Sequence, residues 1–217
     1  MLQYEAYHQK VMACREQYGK KLQLGCGLEI GEPHLEKCRE DLSKALQHME
    51  LDFIIGSVHN IGSVKLRNFQ KGKSKREIYE QYFNEILLMV QHADIDVIGH
   101  MDLAKRYAFE VVGNYDFQDY KDQIAAILTC AIRRDIGIEI NTSGWRNSVG
   151  ICYPSLDVVK LYHDLGGKYI TIGSDAHKNE DLASGLERAL ALLQQAGFRQ
   201  YYHYWQRTPY PIDLDEA

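Results

Sequence analysis

Leu51-Asp52-Phe53-Ile54-Ile55-Gly56-Ser57-Val58-His59 is a short, nearly unbroken apolar run that ends on a histidine. Consecutive apolar residues suit a strand covered on both faces, as in a parallel sheet. The same pattern recurs on either side of it, over residues 22–30, 95–99, 136–140 and 169–173. Longer stretches with helical spacing separate these runs. Leu35, Cys38, Leu42, Ala45, Leu46 and Met49 form the stripe of an amphipathic helix over residues 35–49. Residues 75–91 repeat it with Ile78, Tyr82, Ile86 and Met89, and Ser74 followed by Glu77 predicts a capping box at the start. Residues 120–134, 155–165 and 179–195 complete the helical series, and the first ten residues read as a polar helix. The aromatic stretch 198–205 reads as a last strand or as a segment packed beneath the sheet. Strands alternating with helices predict an α/β fold with a mostly parallel sheet, open or closed into a barrel. With 217 residues, 45% of them hydrophobic, the chain suits one domain over 1–217.

The ends of the runs carry the chemistry. The first closes on Glu29, the second on His59, and the third on His100 and Asp102. The fourth ends at Glu139 and Asn141, the fifth at Asp175 and His177. In parallel α/β folds that rim is where ligands bind. Each residue taken singly has a plainer reading. His59 or His100 alone is more often a turn residue, Glu29 a solvated loop acid, and Asp175 the N-cap of the helix that follows. An acid behind the apolar run at 22–28 is nevertheless costly without a cation. Asp175 and His177 lie two apart, so an extended backbone points both the same way, and carboxylate with imidazole suits zinc, manganese or iron. Five successive strand ends with such residues favour a metal site.

Composition narrows the alternatives. A formal net charge of −5 argues against a nucleic-acid surface, which normally shows a basic excess. No apolar run approaches the roughly 20 residues of a membrane span, and the N-terminus shows no signal-peptide pattern. Cys14, Cys26, Cys38, Cys130 and Cys152 are odd in number and form no CxxC pair, which fits reduced thiols in the cytoplasm. Neither a phosphate-binding GxxxxGK[ST] loop nor a GxSxG elbow occurs. His8, His34, His48, His92, His163 and His203 belong to no constellation and read as structural or surface residues.

Five stretches in order carry a family resemblance: Gly27-Leu28-Glu29, residues 55–59 (Ile-Gly-Ser-Val-His), residues 98–102 (Ile-Gly-His-Met-Asp), residues 139–144 (Glu-Ile-Asn-Thr-Ser-Gly) and residues 173–177 (Gly-Ser-Asp-Ala-His). On these the chain resembles the polymerase-and-histidinol-phosphatase (PHP) superfamily, and the run from Arg146 to Tyr153-Pro154 is similar to its monofunctional histidinol-phosphatase branch. The resemblance implies a distorted (β/α)7 barrel with up to three divalent metals at its C-terminal rim. It implies that Glu29 bridges two metals, that His59 and His100 complete one of them, that Asp175 binds the second and His177 the third. Arg146 and Lys105 are the implied grips on a substrate phosphate, Asp175 is implied in catalysis, and Asp102 and His177 are the candidate leaving-group acids. The implied reaction is hydrolysis of L-histidinol phosphate, a small phosphate ester in histidine biosynthesis, with zinc, manganese or iron as cofactor and no nucleic acid or membrane as partner.

One departure accompanies the match. The family opens on a His-x-His motif, and none precedes Glu29 here. The expectation is therefore a barrel lacking its first two strands and four histidine ligands, with an open edge at the strand around residues 22–30 that a homo-oligomer could cover. Two rivals follow: a non-catalytic remnant that holds at most one metal, and another phosphoesterase of the superfamily, from which the acidic balance subtracts a polynucleotide substrate.

Overall fold

The structure, a computed structural model, describes residues 3–216. Five strands form one parallel sheet: β1 (Gly27–Gly31), β2 (Phe53–Ser57), β5 (Val97–Ile98), β6 (Gly137–Asn141) and β7 (Ile170–Gly173). Their order in the sheet is their order in the chain. A sheet wound in one direction in this way is barrel-like, in contrast to a doubly wound sheet that reverses at its middle. The remaining two strands before β5, β3 (Asn60–Ile61) and β4 (Val64–Lys65), form a small hairpin beyond β2.

The helices are α1 (Tyr4–Tyr18), α2 (Glu36–Leu46), α3 (Leu66–Phe69), α4 (Lys75–His92), α5 (Ala104–Val112), α6 (Phe117–Arg133), α7 (Leu156–Asp164) and α8 (Leu186–Ala196). The capping box at α4 forms as expected: Glu77 N–H donates to Ser74 and the Glu77 carboxylate receives the Ser74 N–H. Such a cap contributes about 1 kcal/mol. Behind it α4 turns Tyr79, Tyr82, Phe83 and Ile86 inward, all fully buried. Tyr79 and Phe83 meet Tyr115 and Tyr120 edge-on or tilted at centroid distances of 5.0–5.9 Å, which locks α4 to α6.

Two expectations need correction. The stretch 179–195 is broken: a short 3-10 turn at Asn179–Asp181 is followed by a loop, and α8 starts only at Leu186. Ala183 and Gly185 sit at φ +58° and +79°, left-handed values that stop a continuous helix, and Leu182 is 76% exposed. The first run also begins later than its apolar residues suggested, since Leu22 lies exposed before β1. The C-terminal aromatic stretch becomes β8 (Gln200–Trp205), paired with β9 (Thr208–Asp213) across the two-residue turn Gln206-Arg207. Both turn residues have positive φ, as a tight hairpin requires. The hairpin does pack beneath the sheet, where Tyr204 stacks on Phe53 at 4.9 Å and the Arg207 N–H donates to the Asp52 carbonyl at 3.0 Å.

Candidate metal centre and anion pocket

Parallel pairing puts the C-terminal ends of β1, β2 and β5 side by side, with Glu29 opposite Ile55 and Gly31 opposite Ser57. Glu29 therefore stands next to the residues that leave β2 and β5. Its Oε1 lies 3.0 Å from His100 Nε2 and 3.4 Å from His59 Nε2. One ligand atom from each of the three residues falls within 4.8 Å of the others. Ligands around a tetrahedral zinc at ~2.0 Å are about 3.3 Å apart, so the two short separations suit one ion. The donor set, one carboxylate oxygen and two imidazole nitrogens, suits zinc, manganese or iron. His100 is enclosed, 4% exposed, whereas His59 and Glu29 open to solvent and leave a way in.

Electrostatics fit the geometry. The hydrogen bond to His100 holds the Glu29 carboxyl down at about 2 against the opposing effect of burial. Burial pushes His59 below the usual histidine value, and the neighbouring His100 charge adds to it. His100 moves the other way: burial alone would lower it, but its hydrogen bond to Glu29 and the nearby Glu139 charge raise it. Glu29 and His59, and not His100, are thus biased towards the deprotonated form a metal needs. The His59 backbone is itself clamped: Glu32 accepts the N–H groups of His59 and Asn60, and its second oxygen accepts Asn60 Nδ2 at 2.8 Å. Sequence reasoning missed Glu32, whose role depends on the β3 turn bringing Asn60 back to it.

Asp175 and His177 sit beside this cluster without joining it. His177 Nδ1 is 3.4 Å from Asp175 Oδ1, and the ring is exposed. Both line a cavity of roughly 380 Å³ whose walls mix the cations Arg106, Arg146 and Lys178 with the acids Glu180 and Asp181. Arg146 is fixed there by donating Nη2 to the Ser174 carbonyl at 2.7 Å and by Nε to Asp181 at 3.2 Å.

Lys105 and Asp102 are elsewhere. Lys105 is 2% exposed and Asp102 1%, and they form an ion pair with each other. Asp102 Oδ2 also accepts Tyr115 OH at 3.0 Å and the Ser155 N–H at 3.3 Å. Lys105, expected as a phosphate grip, and Asp102, expected as a leaving-group acid, are thus both enclosed and absent from the lining of that cavity. The physical reason is α5, whose first turn points Lys105 into the core and its neighbour Arg106 outward to the cavity. That helix went unread in the sequence, although Ala104, Ala108, Val111 and Val112 carry its spacing.

A singly wound parallel sheet with a Glu-His-His cation site and an arginine-lined cavity at its C-terminal rim defines a metal-dependent hydrolase fold of the PHP kind. The PHP domain family matches residues 1–143. The chain belongs to that family. It is 30% identical over 179 residues to a probable histidinol-phosphatase of Clostridium acetobutylicum, covering 81% of this chain and 69% of that one. It is 26% identical over 198 residues to the histidinol-phosphatase of Lactococcus lactis, covering 89% and 72%. The fold matches the crystal structure of histidinol phosphate phosphatase from Lactococcus lactis, complexed with zinc, L-histidinol and phosphate. The TM-score there is 0.86 at 24% identity, covering 97% of this chain and 80% of that one. Among the described residues no helix is long and apolar enough to cross a membrane.

Proposed function

We propose that the chain hydrolyses L-histidinol phosphate to L-histidinol and phosphate in histidine biosynthesis, using divalent metal ions. The observation that carries this reading is the Glu29–His59–His100 cluster set beside the arginine-lined cavity on one rim. The histidinol-phosphatases named above, similar along most of this chain, supply the substrate. Glu29, His59 and His100 hold one ion, and Asp175 and His177 serve as ligands of further ions. A bound divalent ion supplies Lewis-acid stabilisation of charge on phosphoryl oxygens and acidifies water.

The protein's own groups do the rest. Arg146 and Arg106 grip the phosphate, for which the planar guanidinium fork is suited. Arg146 enters this role already oriented by Ser174 and Asp181. With Asp102 enclosed, His177 is the remaining leaving-group acid in any turnover where it is not ligating. Its Nδ1–H donates to the Asp175 carbonyl at 3.1 Å, so Nε2 would hand a proton to the departing alkoxide from the imidazolium form of the ring, leaving it neutral. The reading includes a cytoplasmic location, in keeping with the free thiols of Cys14, Cys26, Cys130 and Cys152.

Phosphate release from L-histidinol phosphate by the purified 217-residue chain with excess Mn²⁺ or Zn²⁺ tests the proposal. Turnover that chelator abolishes supports it. Folded protein without release would instead favour a one-metal, non-catalytic PHP domain, a second reading that the single three-residue cluster among the described residues keeps open.

A further inference from the structure

Beneath the metal cluster lies an acid that no role assigned so far uses. Glu139 is in the middle of β6, a strand whose five residues are all buried, and it is 5% exposed. Among the described residues it forms no ion pair with lysine or arginine. Its Oε2 accepts the backbone N–H of His100 at 3.0 Å and Asn141 Nδ2 at 3.1 Å.

The reason for the first bond is local. β5 is only two residues long, and its last sheet-like bond runs from the Gly99 N–H to the Gly56 carbonyl at 2.9 Å. The next N–H, that of His100, has left the ladder, and His100 takes φ +26°, a value that side-chain-bearing residues rarely adopt. A buried N–H needs an acceptor, and Glu139 reaches across from β6 to supply it. Room for the carboxylate comes from Gly173 on β7, where a Cβ would collide with Glu139 Oε1.

The second bond extends the chain of contacts. Asn141 Oδ1 accepts the Ser143 N–H at 3.0 Å and the Ser143 hydroxyl at 2.6 Å. Ser143 lines the same cavity as Arg146 and belongs with it to the short 3-10 turn Thr142–Arg146. One carboxylate thus touches both the backbone of a metal ligand and the residue that anchors the phosphate loop.

We propose that Glu139 is a positioning residue that fixes His100 for metal binding and, through Asn141 and Ser143, sets the Arg146 loop against the metal site. The proposal rests on the metal-site reading of Glu29, His59 and His100, and what it adds is the part that holds them in register. Position, rather than charge, is the property at work. Gln keeps an acceptor at the same reach, whereas Asp keeps the charge and withdraws it by one methylene.

The test is a zinc titration of metal-stripped, full-length protein against a competing chromophoric chelator, for wild type, Glu139→Gln, Glu139→Asp and Glu139→Ala. Each is titrated well below its own measured Tm. Glu139→Gln is expected to hold its zinc Kd within about threefold of wild type, and Glu139→Asp and Glu139→Ala to weaken it about tenfold or more, the usual cost of losing an outer partner of a metal ligand. Should Glu139→Ala fail to fold, the Gln and Asp variants still decide. Zinc binding by Glu139→Asp as tight as wild type, or by Glu139→Gln as weak as Glu139→Asp, overturns the proposal. Phosphate release is followed in parallel: wild type without turnover removes the phosphatase reading, and the zinc series still decides the role of Glu139.

Discussion

The two ends of the sheet use acidic residues in opposite ways. At the N-terminal end, Asp52, Asp94 and Asp96 are matched by cations and N–H donors. Arg207 clasps Asp94 with two nitrogens at 2.7 and 3.0 Å and donates Nε to Asp96 at 3.1 Å. Asp96 also accepts the Ile54 N–H at 2.7 Å, and Asp52 accepts the Cys26 N–H at 2.7 Å and pairs with Arg15. At the C-terminal rim, Glu29 faces two imidazoles, and Glu139 has only N–H donors. The satisfied end ties the β8–β9 hairpin and α1 to the strands and serves stability. Glu29 and Glu139 keep negative charge with no guanidinium or ammonium paired to either among the described residues, which is how a site for a cation is left open.

Breaking the rim should therefore cost activity far more than stability. Asp175→Asn and His59→Ala are each expected to lower phosphate release by about a thousandfold or more, as when a group that acts with a metal is lost. Their melting temperatures should stay within a few degrees of wild type, because the His59 side chain opens to solvent, that of Asp175 is only partly buried, and neither belongs to the hydrophobic core. Steady-state release at saturating Mn²⁺, read beside thermal unfolding, checks both halves. Full rate in either variant would remove that residue from the site.

Arg106 and Lys105 sharpen the contrast within two adjacent residues. Arg106→Ala is expected to reduce kcat/KM by roughly 10- to 100-fold, about the 1.5–3 kcal/mol of a charged hydrogen bond, while the fold persists. Lys105→Ala should do the reverse, since it strands the buried Asp102 carboxylate: about 3 kcal/mol of stability lost, with KM of the folded fraction unchanged. Urea unfolding and kinetics on the same preparations distinguish the two. A KM effect at Lys105 without a stability loss would reinstate it as the phosphate grip.

Arg207→Ala carries the comparison to the other end. It leaves Asp96, 8% exposed, with a single backbone donor, and is expected to cost roughly 2–3 kcal/mol. This figure is below that of a fully buried pair because the arginine is partly exposed. Activity per folded molecule should not change.

How much of this was legible follows from which interactions are local. The strand–helix alternation and the run of Glu29, His59, His100, Asp175 and His177 at strand ends could be read because period and order survive in one dimension. The choice between Lys105 and Arg106 could not, because it turns on the phase of α5, and one residue is about 100° on a helix. The break at 183–185 was hidden because Ala183 is an unusual residue to take a left-handed backbone, with nothing in its side chain to announce it. Glu139 was visible as a strand-end acid, but its partners lie 39 residues back, at His100, and across the sheet, at Gly173. The Arg207 clasp was likewise invisible, as it joins a hairpin turn to residues 111 and 113 positions earlier.

The smallest effect expected concerns pH at the satisfied end. Hydrogen bonding to Arg207 holds the Asp94 carboxyl below its ordinary value, against burial. A carboxyl whose folded pKa is depressed binds its proton more readily in the unfolded chain, so its stabilisation is complete above the unfolded value, near 3.8 for this side chain. It fades as the pH falls through that value and then through the folded one. Asp96 works in the other direction, since burial raises its pKa, and the two overlap in the wild-type curve. Asp94→Asn separates them. The Tm gap between wild type and this variant should be steady from pH 7 to about 5 and shrink below pH 4. Asp94 is largely exposed, which keeps the gap to a few degrees at most. In an Arg207→Ala background the gap should have no such slope, because the cation that depresses the pKa is gone. A slope that survives there would assign the pH dependence to some other pair and weaken the contrast between the two ends of the sheet.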